Sequence, residues 1–169
     1  MEKVSNQQIL DALQTQFGVD SIYGIGESHG TLQLTTSVDQ IVPMLHFLYQ
    51  EPLLKFQFLT DLAGIHFPDA KGQELGVIYH LHSLENNVRL WIKAYAPIEN
   101  PNFPTVTGLY ATANWMEREA FDFYGIIFEG HPNLVRILNV DDMDYHPMRK
   151  EYPLEDATRH DKIDELFGR

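Results

Sequence analysis

Apolar residues first recur with a helical period. Ile9, Leu10, Leu13 and Phe17 fall on one face of Ser5 to Phe17, which predicts an amphipathic helix. Ser5 and Gln8 have capping-box spacing at its start, and Gly18 stops it. The period then changes to two. Ser21 to Ile25 and Thr31 to Thr36 read as strands, with Leu32 and Leu34 alternating against Thr31, Gln33 and Thr35. Gly26 to Gly30 is the turn between them. Helical spacing returns with Ile41, Met44, Leu45 and Leu48, behind a second capping-box pair, Ser37 and Gln40. Pro43 inside this stretch predicts a late start or a bend, because proline removes a helix hydrogen bond.

Three further strands follow. Leu54 to Phe67 bends at Gly64, and Leu75 to Leu81 and Val88 to Ala94 alternate cleanly around a hairpin turn at Glu85-Asn86-Asn87. Pro97, Pro101 and Pro104 mark an irregular connection. A helix spans Asn114 to Tyr124, with Asn114 and Glu117 as its cap pair. Beyond Gly125 periodicity fades, and from Asp141 the chain reads as an extended, charged tail with at most a short terminal helix.

The order is helix, two strands, helix, three strands, helix, tail. Hairpin-length links favour a mixed sheet, so the expected class is α+β, two layers, with helices on one face of the sheet. We expect one two-layer domain over residues 1–125 and an extended, partner-docking segment over 126–169. A chain of 169 residues is long enough for one self-sufficient core. There is no internal repeat.

Composition then narrows the chemistry. The chain has no cysteine, which excludes disulfides, thiolate nucleophiles and Cys-ligated zinc or iron–sulfur clusters within it. Its formal charge of −12 argues against non-specific nucleic-acid binding and against contact with anionic lipid. The start, MEKVSNQQIL, lacks the basic region and apolar stretch of a signal peptide. No apolar stretch is long enough to span a membrane, so membrane association is expected to pass through a partner.

Gly26-Glu27-Ser28-His29-Gly30 matches the G-x-S-x-G pattern of serine hydrolases. That pattern needs a helix after the serine, whereas Thr31 to Thr36 has strand alternation, so a hairpin turn is the better reading. His80 and His82 share one face of a strand, but no third ligand is near and no H-E-x-x-H occurs. On a helical projection Trp115, Arg118, Glu119 and Asp122 occupy an arc of about 100°. Met116, Ala120, Phe121, Phe123 and Tyr124 lie opposite, and Glu117 lies among them. Two readings stay open: a solvated charged face with Glu117 near the helix N-terminus, or an ion-pair network locking this helix to the tail or to a partner. Gly125, Gly130, His131 and Pro132 set a change of direction. Arg136, Arg149 and Lys150 are then interleaved with Tyr145, Pro147, Met148, Tyr152 and Pro153. Aromatic, Met and Arg side chains of this kind are enriched at interfaces.

ERE-x-x-D followed by GIIFEGHP and HPMRKEYPL, with FLTDL, VIYHLHSL and ANWMEREAFDFYGI before them, resembles the 30-kDa-type subunit of proton-pumping NADH:quinone oxidoreductase, the C-type subunit in bacteria. The likeness covers roughly Leu54 to Leu154. Val135, Met143 and Tyr145 depart from the family pattern, which has a basic residue, Trp and Gly there. The resemblance implies a cofactor-free accessory subunit of the hydrophilic arm, on the cytoplasmic side of the bacterial inner membrane. Its partners would be the quinone-site large subunit and the iron–sulfur subunits. NADH, FMN, iron–sulfur clusters and quinone would belong to the assembled complex. The signature positions carried over are Glu117, Arg118, Glu119, Asp122, Gly125, Gly130, His131, Pro132, Arg136, His146, Pro147, Arg149, Lys150, Tyr152 and Pro153. They are assigned to folding and docking, not catalysis. The alternatives are a homologous subunit of a membrane-bound hydrogenase or of a ferredoxin- or F420-linked dehydrogenase, a small serine hydrolase using Ser28, and a free-standing acidic binding module.

Overall fold

The computed structural model describes residues 4–152. Its elements are α1 (Asn6–Phe17), a 3-10 turn (Val19–Ser21), β1 (Tyr23–Ser28), β2 (Thr31–Thr35), α2 (Val38–Gln50), β3 (Phe58–His66), β4 (Leu75–Ser83), β5 (Val88–Ala96), β6 (Asn102–Pro104), α3 (Ala113–Tyr124) and β7 (Ile127–Glu129). Strands β1 to β5 form one sheet in the order β1-β2-β5-β4-β3. Within it only the β2–β5 pair is parallel, because α2 lies in the connection between them; the other neighbours are antiparallel. The class is the expected α+β fold with a mixed sheet and helices packed on one face.

Strict alternation selects that face. Leu32 and Leu34 of β2, Leu90, Ile92 and Ala94 of β5, Leu75, Val77, Tyr79 and Leu81 of β4, and Leu59 and Leu62 of β3 are buried and in register. Ile9 and Leu13 of α1, and Ile41, Met44, Leu45 and Leu48 of α2, complete the layer with no exposed surface. Each such side chain contributes about 1.5–3 kcal/mol of transfer free energy, so this layer is the main source of stability.

The first helix forms as its sequence predicts. Ser5 N–H donates to Gln8 Oε1 at 2.8 Å, Gln8 N–H donates to Ser5 Oγ at 3.2 Å, and Gly18 closes the last turn onto Gln14.

Elsewhere the boundaries move. The β1–β2 turn is His29-Gly30 alone, both at positive φ, so β1 runs on through Gly26 to Ser28. Ser37 precedes α2 but makes no side-chain cap, so the second capping box does not form. Pro43 neither delays nor stops α2; it sits on the exposed side, where water can satisfy the carbonyl it leaves free. Leu54 to Gln57 is a turn rather than strand, tied down by Asn86, whose side chain donates to the Leu53 and Leu54 carbonyls and to Ser83 Oγ. The β3 irregularity falls between Leu59 and Asp61, not at Gly64. Gly64 has a packing role instead: a Cβ there would stand 2.5 Å from the Tyr124 ring of α3. The proline-marked connection contains β6, which pairs in parallel with β7, a strand the fading periodicity did not announce.

Candidate functional site

The signature residues converge on α3 and on the irregular segment that wraps it. The helix begins after Thr112, with no side-chain cap, so Asn114 and Glu117 are not its cap pair. Glu117 is instead fully buried beneath the strand-to-loop turn at Thr105 and Val106. Its Oε1 accepts from Val106 N–H at 2.7 Å and its Oε2 from the Thr105 hydroxyl at 2.6 Å. Burial pushes its pKa up to about 7 despite those two hydrogen bonds. His131 Nε2 lies 4.0 Å away. Asn133 N–H donates to His131 Nδ1, so the ring proton sits on Nε2 and donates to the Asn114 carbonyl. Glu117 therefore lies on no solvated face; hydrogen bonds from Val106 N–H and the Thr105 hydroxyl hold it.

Asp122 is the opposite case. The projection placed it on the polar arc, yet it is fully buried under the 134–146 segment. Oδ1 takes Arg136 Nη1 at 2.7 Å and Asn139 Nδ2 at 3.0 Å, and Oδ2 takes the backbone N–H groups of Ile137, Leu138 and Asn139. Burial alone would raise its pKa. The donors from Asn139, Leu138 and Arg136 outweigh burial and hold the carboxyl well below the usual range.

Gly125 and the chain from Arg136 to Arg149 cap the C-terminal end of α3, where four carbonyls lack intrahelical partners. Phe121 C=O accepts from Gly125 N–H, Asp122 C=O from Arg136 Nη1 and His146 Nδ1, Phe123 C=O from Met148 N–H, and Tyr124 C=O from Arg149 Nε. Two guanidinium groups thus sit at the negative end of the helix dipole. Burial and the nearby Arg149 and Arg136 lower the pKa of His146, which favours its neutral form. Gly125 makes this closure possible. Its φ is +74°, and a Cβ there would lie 2.6 Å from Arg149 Nη2 and the His146 ring. Arg118 adds a further tie, from Nε to the Val135 carbonyl and from Nη2 to the Arg136 carbonyl, while stacking on Trp115 at 5.2 Å.

Of the signature positions, Glu117, Arg118, Asp122, Gly125, His131, Arg136, His146 and Arg149 are therefore brought into one latch. Gly130 sits at positive φ against Thr105. Lys150 contributes through its backbone, donating to His66 Nδ1 at 3.0 Å. Tyr152 packs on Tyr145 at 4.9 Å between ring centroids. Glu119, Pro132 and Pro147 make no hydrogen bonds with described side chains, and Pro153 lies outside the described residues.

The family departures are accommodated. Val135 and Met143 present only carbonyls to Arg118 and Arg136, and the bulk of Tyr145 rests on Tyr152. Sequence reasoning missed Thr105, Val106, Asn139 and His66. Glu117 on an apolar arc signalled that a partner was needed, but nothing local named it.

The other candidates stand apart. Ser28 ends β1 and is followed by a tight turn and a strand, so no nucleophile elbow exists. His80 and His82 are half-buried on the outer sheet face. Among the described residues no three His, Asp or Glu side chains gather as a metal site, and no helix is long and apolar enough to cross a membrane.

The outward side of the latch sets exposed apolar side chains, Leu138, Val140, Tyr145 and Met148, at 67%, 62%, 40% and 42%, among the exposed carboxylates of Asp141, Asp142 and Asp144.

Comparison with known proteins agrees with this architecture. The family model for the respiratory-chain NADH dehydrogenase 30 Kd subunit matches residues 34–158. The second C-type subunit of the NADH-quinone oxidoreductase of Rhizobium meliloti is 43% identical over 86% of this chain and 78% of its own length. The C-type subunit from a Roseiflexus species is 40% identical over 89% and 86%. Among solved structures, the trypsin-resistant fragment of Nqo5 superposes with a TM-score of 0.62 at 31% identity, over 76% of this chain and 98% of the fragment. A chain of an archaeal membrane-bound sulfane sulfur reductase, at 21% identity and TM-score 0.72 over 88% of this chain and 85% of its own, shares the fold. The chain belongs to the 30-kDa subunit family of the respiratory NADH dehydrogenases, whose bacterial members are the C-type subunits of NADH-quinone oxidoreductase.

Proposed function

We propose that this chain is a cofactor-free accessory subunit of the hydrophilic arm of a proton-translocating NADH:quinone oxidoreductase, and that it supports assembly of the quinone-reducing module. In this reading the 126–169 segment is the docking part. It lies against the quinone-site large subunit and the iron–sulfur subunits, which hold the chain at the cytoplasmic side of the membrane. NADH, FMN, iron–sulfur clusters and quinone act elsewhere in the complex.

One observation carries the reading. The segment from Gly130 to Tyr152 has no regular structure, yet α3 fixes it by charge-assisted hydrogen bonds while its apolar side chains point outward. A surface loop held this rigidly costs little to order on binding, and exposed aromatic, Met and Leu side chains are what an interface core uses.

Arg118→Ala and Arg149→Ala test it. Each should reduce complex assembly and quinone reductase activity together, read by native electrophoresis and by NADH oxidation in membranes. Full assembly with lost activity would overturn the docking role. A tagged pull-down in mild detergent should recover flavin, iron–sulfur and quinone-site subunits; recovery of a hydrogenase large subunit would reassign the complex.

A further inference from the structure

The sheet has a second face that no described helix covers. Alternation sends Phe58, Asp61, Ala63 and Ile65 of β3 to that side, with Ile78, His80 and His82 of β4 and Arg89, Trp91, Lys93 and Tyr95 of β5. In register, Asp61, His80, Trp91 and Gln33 form one row across four strands, and Ala63, Ile78 and Lys93 form the next. His80 and Trp91 stack at 4.6 Å, and Phe67 meets Tyr95 at 6.3 Å. Phe58 and Phe67 at its margins are 42% and 51% exposed. Antiparallel sheets commonly leave one face to water, but such a face then carries short polar side chains rather than this aromatic and aliphatic set.

Its charge is also inverted relative to the chain. The molecule carries −12, yet this face presents Arg89 and Lys93 against the single carboxylate of Asp61. Lys93 Nζ bonds only the neutral Gln33 side chain, at 2.7 Å, and Arg89 is exposed with no acidic partner among the described residues. Two cations without acidic partners among the described residues, beside Trp91, Tyr95 and Ile78, match a partner surface that sets carboxylates around an apolar centre.

We infer that the open face of the five-stranded sheet is a second docking surface, distinct from the latch on α3, and that it seats an acidic, apolar-centred segment of another subunit. The inference rests on the subunit reading above. It adds a contact on the outer face of the sheet to those made by the 126–169 segment.

The test places a photoreactive benzophenone side chain at His82, at Ile78 or at Leu138 of the full chain, assembled in native membranes. Crosslinks from His82 and Ile78 to a carboxylate-rich segment of another subunit are expected, alongside a crosslink from Leu138 to its own neighbour. Crosslinks from Leu138 alone, or from the sheet face to a second copy of this chain, would overturn the second surface and leave the latch reading intact. Crosslinks from none of the three would overturn both. Joint Arg89→Glu and Lys93→Glu substitution should lower recovered complex about tenfold, while Arg89→Lys with Lys93→Arg should not. Equal urea midpoints for the two double variants would tie that loss to docking. A lower midpoint for the Glu pair, matching the loss, would overturn that link.

Discussion

The sheet layer and the latch on α3 are held by different forces. The layer is apolar, regular and continuous from β2 to β3, and its contacts are interchangeable in kind. The latch has no regular element after Glu129 among the described residues and depends on individual donors and acceptors, most of them around the buried Asp122 carboxylate. A typical hydrogen bond contributes about 1 kcal/mol net, but a buried charge stripped of its donors costs several. The layer should therefore fail gradually and globally, whereas the latch should fail locally at a single residue.

Asp122→Ala tests that contrast with the largest expected effect. It removes the charge partner of Arg136, which keeps only carbonyl acceptors, and strands three backbone N–H groups, so a loss of about 3–5 kcal/mol is expected by urea denaturation. Amide exchange at Ile137, Leu138 and Asn139 should accelerate while β4 and β5 stay protected. If β4 and β5 lose protection equally, latch and layer are one cooperative unit. Ile92→Ala is the complementary change in the layer. It should cost about 2–5 kcal/mol and lower protection everywhere at once.

The two carboxylates of α3 sharpen the comparison through pH. The depressed pKa of Asp122 gives stability that is present above the ordinary carboxylate range and lost progressively as pH falls from that range through the depressed folded value. Glu117 has the opposite sign. Its folded pKa of about 7 exceeds the ordinary 4.5, so its protonated form favours folding, and stability falls as pH rises from 4.5 through 7. Glu117→Gln keeps the shape and cannot ionise. It should match the parent near pH 5 and exceed it at pH 8 by on the order of 1–3 kcal/mol in urea midpoint experiments. A difference that does not grow with pH would mean that Glu117 ionises freely in the fold.

The same division explains what was legible in the sequence. Period-two and helical patterns placed the helices, the five-stranded sheet and its class, because burial by alternation is a local property of the chain. The boundaries at Leu54 and Asn114 were misplaced because distant residues decide them: Asn86 bonds the Leu53–Leu54 turn, and Glu117 is claimed by Thr105 and Val106 rather than by its own helix end. The latch residues were recognisable as a signature, yet their geometry was not. Asp122 looks solvent-facing on a helical projection and becomes buried only when a segment 15 residues later folds over it.

The smallest effect bears on whether the two regions touch. Tyr79 sits at the centre of β4, opposite Leu62 and Ile92, and is fully buried. Its hydroxyl has no hydrogen-bond partner among the described residues, and burial, with the nearby Glu117 carboxylate, raises its pKa well above the usual range. A buried hydroxyl without a partner has given up its hydration for nothing. Tyr79→Phe should then be neutral or stabilising by up to about 1 kcal/mol, because no hydrogen bond is lost and an apolar atom set replaces a polar one. Urea midpoints at pH 5 and pH 8 measure it. A destabilisation would mean that the hydroxyl bonds into the Glu117 cluster, and a pH-dependent one would mean that it serves the ionised carboxylate. Either result would make the apolar layer and the polar floor of α3 one network rather than two, and would predict coupling between Tyr79→Phe and Glu117→Gln in a double-mutant cycle.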